Sequence, residues 1–91
     1  MTFNIVFTSR FDKEYKKAKQ RGKKIQKLDA IFMELAMHGQ VPQKNRPHIL
    51  SGDWAGVWEC HIESDWLLIY EIRKNEIILR RTGTHSDLFK K

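Results

Sequence analysis

The chain of 91 residues has a single cysteine, Cys60, so no disulfide can close within it. That pattern fits a reducing compartment, and the fold must be held by packing alone. Both prolines fall within residues 39–55, GQVPQKNRPHILSGDWA, where Gly39 and Gly52 and the lack of any sustained period also mark a loop. No stretch approaches the ~20 apolar residues of a membrane span. The N-terminal MTFNIVFTSRFDKEY has no basic region followed by a long apolar run, which excludes a secretory signal. Internal repeats, low-complexity tracts and linkers are also missing. The expectation is one domain over residues 1–91, soluble, cytoplasmic and not associated with a membrane.

A hydrophobic fraction of 41% and ten aromatic residues are enough for one modest core, so the chain is no disordered tail. The net charge of +6 is unevenly spread. Residues 13–27, KEYKKAKQRGKKIQK, carry eight basic side chains and one acid, a local balance of +7, which leaves −1 for the rest. A basic block this dense points to a polyanionic partner through phosphate neutralisation and counterion release; the plainer reading is a solvated lysine-rich helix face.

Residues 2–7, TFNIVF, read as a short strand. Thr8 or Ser9 suits a helix N-cap, with Asp12 in the first turn. Phe7, Phe11, Tyr15 and Ala18 form one apolar stripe on a helix that runs to about Gly22. Ile25, Leu28, Ile31, Phe32, Leu35 and Ala36 form a second stripe, which ends near Gly39. After the 39–55 loop come three strands, 57–62, 66–72 and 76–82, whose short connectors make antiparallel hairpins. The order β-α-α-β-β-β predicts an α+β fold: a four-stranded, mostly antiparallel sheet, both helices packed on one face, the first strand beside the last.

In VWECHI (57–62), strict alternation sends Trp58, Cys60 and Ile62 toward the helices and Val57, Glu59 and His61 to the open face. In the last strand the same rule groups Ile78, Arg80 and Thr82 against Leu79 and Arg81, so one arginine is expected across the open face. His61 ends its strand, Asp65 lies in the next turn, His85 follows the last strand, and His48 is in the long loop. These four can gather at one edge of the sheet. Histidine exchanges protons near neutrality, with an ordinary pKa of about 6.5. Cleaving RNA without a metal needs a base for the 2′-OH, an acid for the leaving 5′-oxygen, and cations for the charge on phosphorus. Histidines and an arginine supply all three. Each residue also has a plainer reading. His38 suits a helix C-terminus, Asp65 a tight turn, Trp54 loop packing, and Phe89 an anchor for the tail. Three histidines and an aspartate are also plausible zinc ligands, although their order lacks compact ligand spacing.

Three blocks carry a resemblance: HILSGDW (48–54), CHIESDWLLIY (60–70) and RTGTHSDLF (81–89). Together, at this separation, they resemble the YafQ branch of the RelE-like toxins, bacterial ribosome-dependent mRNA endonucleases of type II toxin–antitoxin pairs. The resemblance spans essentially the whole chain. It implies a small antiparallel sheet with two N-terminal helices, in agreement with the order read from the residues. It also implies catalytic roles for His48, His61, Asp65 and His85, and RNA contacts at Arg81, Phe89 and Trp66. Arg81 matches a basic residue near the scissile phosphate. Lys16, Lys17, Lys23 and Lys24 then have ribosomal RNA as their partner.

Other implied partners are mRNA and a cognate antitoxin; no cofactor or metal is implied. Two features depart from the pattern: RPHILSGDW lacks an acidic residue before the histidine, and Lys90 and Lys91 lie past the usual end. The alternative function is that of ParE-like toxins, which bind and inhibit DNA gyrase without being nucleases. A plain nucleic-acid or partner-binding module is a third.

Overall fold

The computed structural model describes residues 2–52 and 56–89. The expectations attached to Trp54, Lys90 and Lys91 lie outside the described residues. The elements are β1 (Asn4–Phe7), α1 (Ser9–Gln20), α2 (Ile25–His38), a 3-10 turn (Gln43–Asn45), β2 (His48–Ile49), β3 (Trp58–Glu63), β4 (Trp66–Arg73), β5 (Glu76–Gly83) and α3 (His85–Leu88). The strands form one sheet in the order β1-β5-β4-β3-β2. β1 runs parallel to β5, and every other pair is antiparallel.

Thr8 caps α1: its hydroxyl accepts the Phe11 N–H at 3.1 Å and donates to the Leu79 carbonyl at 2.9 Å, which ties the helix start to β5. Gly39 ends α2 in the left-handed region at φ 67°, and a Cβ there would come within 2.6 Å of the Phe3 ring. The predicted stripes supply the main core, except that Phe7 is 49% exposed. Phe11 and Ala18 of α1 and Leu28, Ile31 and Leu35 of α2 pack on Cys60, Ile62, Trp66, Leu68, Tyr70, Ile77 and Leu79. Burial pushes the Cys60 thiol up to about 12, so it is an inert core group.

Three features go beyond the expected four strands and two helices. β2 is a fifth strand of two residues, with His48 opposite Glu59, and the Leu50 N–H extends the pairing to the Val57 carbonyl at 2.8 Å. Two residues leave no period to read. α3 is a single turn in the tail. β5 carries a bulge: Arg81 pairs with Ile69, but Leu79 pairs with Tyr70, so Arg80 is the extra residue. The bulge corrects the strict alternation. Leu79 and Thr82 both face the helix-side core, Thr82 only 2% exposed, whereas Arg81 shares the side of Ile69.

The second face of the sheet is not wholly open. Leu67, Ile69 and Leu88 form a small core there, with Leu50, Val57 and Phe89 packed around it. Burying Leu88 contributes on the order of 1.5–3 kcal/mol, which fastens the one-turn helix to the sheet.

Candidate active site

The second face also carries the histidines. Glu59 pairs with Ile69 and His61 with Leu67, so both side chains stand on the side of the small core, as the alternation predicts. β2 adds His48 beside Glu59, and α3 begins with His85. The rings of His48 and His61 are 6.3 Å apart between centroids, those of His61 and His85 6.0 Å. The three imidazoles therefore form one row, with a carboxylate at each end.

At one end, His48 Nε2 lies 3.1 Å from Glu59 Oε1. Its Nδ1 lies 3.1 Å from the carbonyl oxygen of Arg46, which the left-handed backbone of that residue (φ 49°) turns toward the ring. Glu59 is 6% exposed, a carboxylate almost enclosed by the sheet. A carbonyl and a carboxylate only accept, so both bonds are filled together only when both ring nitrogens carry hydrogen. At the other end, Asp65 Oδ1 accepts from the His85 backbone N–H at 2.9 Å and lies 2.6 Å from His85 Nδ1. Those two bonds, the backbone one foremost, hold the Asp65 carboxyl below the usual aspartate range. They also assign the ring hydrogen to Nδ1. Among the described residues His85 Nε2 has no hydrogen-bond partner, and the side chain is 54% exposed. Between them, His61 Nδ1 lies 3.4 Å from the Ser64 carbonyl, and Asn45 holds the His61 backbone carbonyl at 2.9 Å. Among the described residues no three of His, Cys, Asp and Glu are arranged to hold a metal ion.

The expected RNA contacts divide. Lys16, Lys17 and Lys24 are exposed. The charge of Lys23 reaches Asp65, and its ammonium lies 5.8 Å from the Trp66 ring centroid. Phe89 is partly buried against the small core, as its anchor reading expects.

Trp66 as an RNA contact is corrected. It is 1% exposed, belongs to the helix-side core and donates to the Thr82 hydroxyl at 3.0 Å, so no base can reach its ring. Arg81 is also enclosed: its side chain is 12% exposed and bound to Glu14, with Nε 2.9 Å and Nη2 2.7 Å from Oε2. Glu14 Oε1 also takes the Thr82 N–H at 3.2 Å, an edge donor that β1, ending at Phe7, does not reach. As placed, Arg81 fastens α1 to β5 and does not face the histidine row with a bare cation.

Sequence reasoning placed Glu59 on the right face but left it out of the site. Its spacing of two from His61 on an alternating strand was the available signal. It also missed Asp87, although Thr84-His-Ser-Asp87 has the spacing of a capping box.

Fold and site together show a small basic α+β domain: a helical hairpin on one face of the sheet, and a row of histidines with their carboxylates on the other. The family model described as "Bacterial toxin of type II toxin-antitoxin system, YafQ" matches residues 3–90. The chain belongs to this YafQ family. It is 34% identical over 87 residues to the mRNA interferase toxin YafQ of Escherichia coli K12, with 94% of this chain and 95% of that protein covered. The crystal structure of YafQ from E. coli BL21(DE3) superposes with a TM-score of 0.88 at 31% identity, covering 96% of this chain and 98% of that one. YafQ in the E. coli DinJ-YafQ toxin–antitoxin complex superposes with a TM-score of 0.89 at 32% identity, covering 98% and 99%. Membership supports the reading of a type II mRNA interferase toxin over the gyrase-binding alternative, and with it a cognate antitoxin as partner.

Proposed function

We propose that this toxin cuts mRNA in the ribosome by metal-independent acid–base catalysis, and that the two ends of the histidine row divide the work. The observation that supports this is the different hydrogen-bond inventory of His85 and His48. His85, with Nδ1–H on Asp65 and an open Nε2, takes the proton of the 2′-OH. The 2′-oxygen attacks phosphorus and the bond to the 5′-oxygen breaks. His48, with hydrogen on both nitrogens, gives a proton to that leaving oxygen. The products are a 2′,3′-cyclic phosphate, which can open to a 3′-phosphate, and a 5′-hydroxyl end. His61 positions the substrate between the two. Phe89, partly buried beside the row, contacts a base, as aromatic side chains do with single-stranded RNA. Arg81, bound to Glu14, helps to hold the tail through the Asp87 carbonyl at 3.5 Å. Lys23, beside Asp65, and the exposed Lys16, Lys17 and Lys24 meet ribosomal RNA. The setting is the bacterial cytoplasm. No helix among the described residues is long and apolar enough to cross a membrane.

Primer extension on a defined mRNA, in EDTA, with and without 70S ribosomes, tests the reading. Codon-registered cuts are expected only with ribosomes and wild-type protein, and none with His85→Ala. A folded His85→Ala protein that cuts as well as wild type would sink the assignment. Cleaved or relaxed DNA with intact mRNA would instead restore the gyrase alternative.

A further inference from the structure

The segment that presents His85 is too short to hold itself. A four-residue helix gains almost nothing from its own ladder, because nucleation is the costly step. Something else must fix the direction of the ring. Asp65 holds the first residue, and a second carboxylate, Asp87, holds the turn from within. Asp87 Oδ2 accepts the Thr84 N–H at 3.0 Å, while the Asp87 N–H is donated to the Thr84 hydroxyl at 3.1 Å, a closed capping box. The same Oδ2 receives Arg21 Nη1 at 2.8 Å, from the residue just past the end of α1. Gly83 makes room for this: a Cβ there would come within 2.9 Å of Asp87 Cβ. Arg21 belongs to the basic block, yet one edge of its guanidinium is already engaged here.

We propose that Asp87 and Arg21 are positioning residues for His85: they bridge the lysine-rich helix to the catalytic turn and fix the direction in which His85 Nε2 points. An isolated pair on a surface has little effect on stability. This pair differs because the carboxylate is shared with the capping box, and the turn it closes begins with His85. The backbone N–H of Thr84 and then Arg21 hold the Asp87 carboxyl down at about 2, which agrees with a carboxylate that stays ionised and bound. The effect on cleavage rests on the nuclease reading; the effect on His85 itself does not.

Two readouts separate those claims. The first is single-turnover cleavage at saturating 70S ribosomes, together with the half-saturating ribosome concentration. The second is the NMR spectrum of the His85 ring and amide in the free toxin. Asp87→Asn keeps an acceptor for the cap and removes the charge that Arg21 binds, so the protein should fold. The rate should fall about 10- to 100-fold, the cost of a small misplacement of a catalytic group, with half-saturation unchanged. The His85 resonances should shift, and Arg21→Ala should have no further effect on rate in the Asp87→Asn background. A rate within twofold of wild type in folded Asp87→Asn overturns the proposal. So does a fall in rate matched by an equal rise in half-saturation, which would make the pair a ribosome contact. If the wild type cuts nothing, the nuclease reading fails and the spectrum alone decides. Unchanged His85 resonances then overturn the clamp, and shifted ones support it.

Discussion

His48 and His85 stand at opposite ends of one row of rings, yet the frames that hold them differ in almost every respect. His48 is on a two-residue strand, its nitrogens matched to a backbone carbonyl and a carboxylate that is 6% exposed. His85 opens a one-turn helix, and its one side-chain partner among the described residues, Asp65, is largely in solvent. On the proposed reading the ring with two acceptors is the proton donor, and the ring with one acceptor and one open nitrogen is the proton acceptor. The same residue type has two different sets of neighbours here, and the difference lies in hydrogen-bond partners that sequence position does not show.

The largest way to break the comparison is at the His85 end. Asp65→Asn keeps one oxygen for both the His85 amide and the Nδ1 hydrogen, and removes the negative charge that stabilises the ring once Nε2 has taken a proton. The base is weakened while the bulk stays the same, and cleavage on the ribosome should fall by about 10²–10⁴-fold. A fully active Asp65→Asn toxin would mean that the charge of this aspartate has no part in the proton transfer. At the other end, Glu59→Gln keeps an acceptor for His48 but removes the negative charge beside Nε2. A smaller loss is expected, about 10-fold, again read in single-turnover cleavage. If Glu59→Gln proves the more damaging of the two, the proposed division of labour is wrong.

The smallest effect concerns stability. Asp87 sits at about 2 in the folded chain, below the ordinary aspartate value of 3.8. Its carboxylate therefore contributes stability above about pH 4, and that contribution is lost as pH falls toward 2. Thermal melts should show Asp87→Asn less stable than wild type near neutrality, with the gap narrowing across this acid window. A gap that stays constant to the acid end would remove Asp87 from the account of acid unfolding.

Much of the fold was legible because its signals are long. Two stripes at helical spacing, three strands with short connectors and a glycine at each helix end defined the α+β architecture and the helix-side core. What escaped detection was short or set by pairing. Two residues of β2 carry no period. The bulge at Arg80 inverts an alternation that the sequence displays as regular, so Thr82 and Arg81 change sides. In the site, His48, His61, Asp65 and His85 do come together. The roles of Trp66 and Arg81 were hidden because each has a polar group satisfied by a partner distant in sequence: the Trp66 indole by Thr82, and the Arg81 guanidinium by Glu14, a lone acid in a basic block. Nothing local in the sequence distinguishes such a buried pair from an exposed contact.

The most direct test of the central claim replaces the scissile 5′-oxygen of a ribosome-bound mRNA with sulfur, a leaving group that needs no proton. Single-turnover rates would be measured for wild type, His48→Ala and His85→Ala on the oxygen and sulfur substrates. If His48 is the acid and His85 the base, sulfur restores His48→Ala to near the wild-type rate and leaves His85→Ala inactive. Rescue of His85→Ala with no rescue of His48→Ala would contradict the assignment and reverse the two ends of the row.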